Sequence, residues 1–113
     1  MSSRIVQRVT SSASPELADE FLSNLTLPRD KPIGEDKVRK YRELIREGSM
    51  HKVLWATALC LEDGLGYRLN GSHSSEAFLD PTLDLSGIEV IHHYWECATK
   101  DDMLECLVDY ETL

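Results

Sequence analysis

Residues 70–75 read Asn-Gly-Ser-His-Ser-Ser, a cluster of small polar groups around one histidine. A polar loop that opens a helix presents free backbone N–H groups and a partial positive charge, which together favour an anion. Gly71 would let a phosphate approach the backbone closely. Asn70, Ser72, Ser74 and Ser75 add side-chain donors around it. His73 titrates near neutrality, so it could add charge or move a proton. Glu76 is the one nearby acid that could position that ring, although an acid in a first helical turn commonly complements the helix dipole. A plainer reading is structural. In that reading Asn70-Gly71 is a turn, one serine caps the helix, and His73 lies on the surface.

Other residues with chemical potential are fewer. Nuclease chemistry would need a carboxylate pair holding Mg²⁺. Asp80 and Asp84 are available, yet both flank Pro81 in a turn, where Asp is favoured anyway. His92 and His93 are consecutive on a strand and point to opposite faces, so they cannot share one metal. No metal site is expected. Cys60, Cys97 and Cys106 are odd in number and lack CxxC spacing, which reads as structural thiols in a reducing compartment. Trp55, Tyr94 and Trp95 could form an exposed aromatic patch, but such residues more often fill a core.

The elements that must position these groups follow from local signals. Residues 1–13 read as a strand or loose arm. Ser14 is a good N-cap and Pro15 fits the first helical turn of "SPELADEFLSNL". Leu17, Phe21, Leu22 and Leu25 recur there at helical spacing. Pro28, Pro32 and Gly34 break that helix. In "GEDKVRKYRELIREG" the stripe of Val38, Tyr41, Leu44 and Ile45 predicts a second helix, closed by Gly48. Lys37, Arg39, Lys40, Arg42 and Arg46 cover its other side, with Glu43 and Glu47 interspersed as on a solvated helix. Val53–Leu61 reads as a buried strand, and Asp63-Gly64 as a hairpin turn into a strand with Tyr67 and Leu69 on its buried face. A short helix follows Gly71 and ends before Pro81. "GIEVIHHYWECA" is β-branched and aromatic, as a strand requires. Thr99 and Asp102 form a capping box for a last helix whose apolar face holds Met103, Leu104, Leu107 and Val108. The sum is one α+β domain over residues 1–113: a small mixed β-sheet flanked by helices.

Composition bounds the function. The chain has 113 residues and 42% apolar content, enough for one modest core. No apolar run reaches the roughly 18–20 residues of a membrane span, and the N-terminus lacks a signal-peptide core. A cytoplasmic protein with no membrane contact is therefore expected. Residues 1–56 carry ten Lys/Arg against eight Asp/Glu, whereas residues 57–113 carry two against twelve. That second half would repel a phosphate backbone, which disfavours direct DNA binding and favours a basic protein partner.

The stretch "DGLGYRLNGSHSSEAFL" resembles the signature region of the ParB/sulfiredoxin superfamily. There a strand and a glycine lead into a short polar loop with His or Arg, then a helix with alanine. Gly71, His73 and Ala77 fall on the first, third and seventh positions of the pattern. "DKVRKYRELIREG" is similar to the helix before the family's sheet, and "IEVIHHYWECATKDDMLECLVDYE" to its closing strand and helix. The resemblance implies a ParB/sulfiredoxin-like fold over roughly residues 30–110, with a phosphate or nucleotide loop at 70–75. Ser72 occupies the position of the sulfiredoxin nucleophilic cysteine, so thiol chemistry is absent. Ser74 occupies the position of the phosphate-binding arginine, the strongest anion contact of the pattern. Two function classes follow. The first is a non-catalytic interaction or inhibitor module, of phage or mobile-element type, acting on a nucleic-acid-binding host system. Its basic partner would meet Glu96, Asp101, Asp102 and Glu105. The second is binding or hydrolysis of ATP, ADP or CTP, with Mg²⁺, through Asn70–Ser75 with His73 as the key side chain. A small nuclease comes last, because the charge is wrong.

Overall fold

The two most apolar runs, around residues 53–60 and 88–97, each bury both faces and so must lie inside a sheet rather than at its edge. A computed structural model describes residues 3–27 and 32–111. Its elements are β1 (Ser3–Ser12), α1 (Pro15–Leu22), α2 (Glu35–Arg46), β2 (Lys52–Cys60), β3 (Leu65–Asn70), α3 (Ser72–Ala77), β4 (Glu89–Cys97) and α4 (Lys100–Glu111). The strand order is β1-β4-β2-β3, so the two apolar runs are the central pair. They run parallel, and each outer strand joins them antiparallel. The protein is thus a small α+β domain with a mixed sheet flanked by helices, as its sequence pattern implies.

Alternation along β2 divides the core in two. Val53 and Trp55 face α1, α2 and α3, packing with Phe21, Val38, Ile45, Phe78 and Val90. Ala56, Ala58 and Cys60 face the other way, towards Met103, Cys106 and Leu107 of α4. All three cysteines are free and buried in this second layer. Cys60 and Cys97 are lateral neighbours in the parallel ladder. Burial pushes the Cys97 thiol up to about 11, which suits a packing role.

Local chemistry sets most boundaries. Ser14 Oγ accepts the Leu17 N–H at 3.0 Å, with Pro15 in the first turn of α1. Thr99 and Asp102 form the reciprocal capping box at α4, each backbone N–H meeting the other's side chain at 3.2 Å. Gly48 follows α2 at φ +69°. Asp63 organises the β2–β3 turn by accepting the Leu65 N–H and the Tyr67 hydroxyl, a bond that pushes the Tyr67 pKa up to about 12.

Several expectations are corrected. Helix α1 stops at Leu22, and Leu25 is not part of its stripe. Ser23 Oγ and Asn24 Nδ2 donate to the carbonyls of Glu20 and Phe21, which ends the helix before any proline. Pro28 lies outside the described residues. Leu25 instead bridges the outer edge of β3: its N–H meets Gly66 O at 2.9 Å and its carbonyl the Arg68 N–H at 2.8 Å. Arg68, on the opposite face of β3 from Tyr67 and Leu69, is buried as well, where a strand with one buried face would leave it in solvent. On α4, Cys106 takes the core position expected for Val108, which is half exposed. Residues 3–12, read as a strand or arm, are a ten-residue edge strand.

The Thr99 cap is exposed and makes a local bond only. Thr99→Ala should therefore lower stability by about 1 kcal/mol. Urea unfolding followed by circular dichroism should show a lower midpoint with an unchanged slope.

Candidate functional site

The loop between β3 and α3 is built against Trp55. Gly71 sits at φ +116°, and an added Cβ there would lie 2.4 Å from Trp55 Cδ1. The indole is fully buried beneath the loop, with Phe21 and Phe78 ring centroids at 4.6 and 5.7 Å. Its Nε1–H donates to Ser74 Oγ at 2.9 Å, and the Ser74 hydroxyl donates on to Gly71 O at 3.2 Å. The Ser75 hydroxyl, also fully buried, donates to Ser72 O at 3.0 Å. No serine caps α3: the N-cap residue is Gly71, and the serines lie within the helix, bonding back onto their own turn. The Asn70 side chain donates to Leu54 O at 2.8 Å and ties the loop to β2.

His73 leaves the loop on the other side. Its Nε2 accepts the Gly34 N–H at 3.3 Å, so a neutral ring caps the start of α2 rather than lying free on the surface. Burial and then the Lys37 charge lower its pKa from 6.5, which keeps it an acceptor. Glu76 lines a groove with Arg39 and Arg42, not the loop. Arg68, an arginine the sequence pattern did not single out, reaches Ser72 Oγ with a guanidinium nitrogen at 3.5 Å.

The two carboxylates considered for Mg²⁺ each make bonds within their own turn. Asp80 accepts from Thr82 and lies 3.8 and 3.4 Å from Arg42 and Arg46. Asp84 accepts from Ser86 in its own turn. Donors and cations occupy both Asp80 oxygens and the Ser86 donors occupy Asp84 Oδ1, which suits structural turns. Among the described residues no cluster of three or more His, Cys, Asp or Glu could hold a metal ion. His92 and His93 do diverge. His93 Nδ1 meets Tyr110 Oη at 3.1 Å on the α4 side, and the Trp95 indole donates to the same oxygen at 2.7 Å.

The acidic residues divide between two faces. Glu96 shares its side of the sheet with Tyr94 and pairs with Arg4 of β1 at 3.3 Å. Asp102 is held in the α4 capping box. Asp101, Glu105 and Asp109 are exposed and spaced one helical turn apart on α4, beside the half-exposed Val108.

A further concavity was not legible as a site. A cleft of about 450 Å³ lies between α1 and the half of the sheet that the helices leave open. Thr57 and His92 form its floor, with Thr57 Oγ1 and His92 Nε2 2.8 Å apart. Tyr94 stacks on His92 at 3.9 Å between ring centroids. Phe21 and Glu20 of α1 form the wall. Burial holds His92 neutral, with its pKa pushed down to about 4 and His93 contributing. The available signal was a threonine and a histidine at inward positions of two central strands. No protein-family model, curated protein or solved structure matches the chain. Among the described residues no helix is long and apolar enough to cross a membrane.

Two outcomes follow. Gly71→Ala combines a positive φ with a collision against a buried ring, so it should cost on the order of 3 kcal/mol in chemical denaturation. For His92, the unfolded chain binds a proton near pH 6.5 that the folded chain resists until about pH 4. Its contribution is fully present above pH 6.5 and is lost as pH falls towards 4, by roughly 3 kcal/mol. His92→Gln should flatten that part of the stability–pH curve.

Proposed function

We propose that the protein is a non-catalytic interaction module that presents the outer face of α4 to a basic partner. The carrying observation is the placement of Asp101, Glu105 and Asp109 in one line on an exposed helix face. Exposed like charges in a line make this face of the helix strongly negative. The last turn of α4 contains no basic residue. Such a face attracts a basic surface. The loop supports the same reading, because its Ser74 and Ser75 hydroxyls serve Trp55 and the α3 backbone rather than a substrate. A strand, glycine, polar loop and helix in this order are in keeping with a ParB/sulfiredoxin-like scaffold whose reactive positions are serines. An acidic face of this kind competes with a phosphate backbone for a basic groove, so a nucleic-acid-binding protein is the partner class. The test uses Asp101→Lys, Glu105→Lys and Asp109→Lys combined. Immobilised wild-type protein should retain a nucleic-acid-binding protein at low salt and release it as salt rises. The reversed variant should weaken retention at least tenfold with its fold unchanged. Equal retention by both would refute the proposal.

One observation favours nucleotide binding as a second reading. Arg68 brings a guanidinium to Ser72, partly replacing the arginine absent at position 74. Thermal shift with ATP, ADP and CTP, with and without Mg²⁺, separates the two. A rise in Tm at millimolar nucleotide, lost in Arg68→Gln, would favour this second reading. No shift would remove it.

A further inference from the structure

The cleft between α1 and the open half of the sheet has the form of a small-molecule site, and its chemistry specifies a charge. Its volume, about 450 Å³, falls within the usual range for ligand pockets. The floor is aromatic and preorganised. His92 is 8% exposed, held by Thr57 on one side and by the stacked Tyr94 ring on its face. Thr57 satisfies the buried imidazole, so the floor is a fixed, neutral polar surface.

The charge balance is one-sided. Glu20 is the one carboxylate among the described residues that line the cleft, and none of them is Lys or Arg. Asn24 adds a second acceptor. Its amide nitrogen is committed to Phe21 O, while its Oδ1 stands over Gly66, only 2.6 Å from where a Cβ would be. Any side chain at position 66 would displace that oxygen. The cleft therefore offers a carboxylate, an amide oxygen and the half-buried Tyr94 ring, with no fixed cation among its described lining residues.

We propose that this cleft binds a compact organic ammonium ion with a flat apolar body. The ammonium would meet Glu20 and Asn24 Oδ1, and the apolar body would lie against Tyr94. Aromatic faces attract cations through their quadrupoles, which adds to the carboxylate's pull in a partly desolvated site. An anion of the same shape would meet Glu20 with no compensating charge, so it would be rejected. This inference is independent of the α4 face, which lies on the other side of the sheet.

The test uses three probes of one shape: 2-phenylethylammonium, 2-phenylethanol and phenylacetate. Each is titrated into the full chain and followed by amide NMR. The ammonium probe should shift the resonances of Phe21, Thr57 and Tyr94 with a dissociation constant on the order of 1 mM, as expected for so few atoms. Phenylacetate should bind at least tenfold more weakly. Glu20 is an exposed helix residue, so Glu20→Gln should fold normally and remove the preference between ammonium and alcohol. Gly66→Ala provides a second, charge-neutral perturbation and should weaken the ammonium probe alone. Phenylacetate binding as tightly as the ammonium, a preference that survives Glu20→Gln, or no cleft shifts at 10 mM probe would each overturn the proposal.

Discussion

Trp55 is the side chain around which the architecture closes. It stands in the middle of β2, and its ring meets Phe21 of α1, Phe78 just after α3 and His92 of β4. A buried indole brings a large apolar area but also one N–H that must be satisfied. Ser74 satisfies it, and that requirement draws α3 down onto the sheet. The close approach leaves no room for a Cβ at the turn, which is why glycine stands at position 71. One hydrogen-bonded aromatic thus fixes the helix, the turn residue and the inward direction of two serines.

That constraint also separates two ways of reading a polar loop. By composition, four small polar residues around a histidine suggest a site open to anions. By packing, the same residues are donors and acceptors needed indoors: Asn70 for Leu54, Ser74 for Trp55, His73 for Gly34. A serine in a loop can serve a ligand or the fold, and only the location of its partner decides between them. At the edge of the same loop, the buried Arg68 reaches Ser72.

Much of the fold was legible because its signals are local. The Ser14 and Thr99 caps, the Gly48 stop and the Asp63-Gly64 turn depend on residues within four positions of one another, and each stands where the pattern indicates. The divergence of His92 and His93 follows from strand geometry alone. The early end of α1 was hidden because Ser23 and Asn24 look no different from helix-surface residues until their side chains find carbonyls. The bridge by which Leu25 covers the far edge of β3 likewise has no local sequence mark. The cleft was harder still. Glu20, Thr57, His92 and Tyr94 come from three elements, and each alone looks like an ordinary surface or core residue.

The position of β1 bears on how the chain comes to be folded. Ser3 pairs with Cys97 and Ser12 with Glu89, so a segment early in the sequence joins one far along it. During translation it has no partner until β4 has emerged, and closing so long a loop is slow compared with forming a hairpin. Its composition suits that wait. Arg4, Gln7, Arg8 and a run of Ser and Thr keep the unpaired strand hydrated, whereas an apolar strand of the same length would invite pairing with neighbouring chains. The polar character of the edge is therefore as much a safeguard for the unfinished chain as a surface of the finished one.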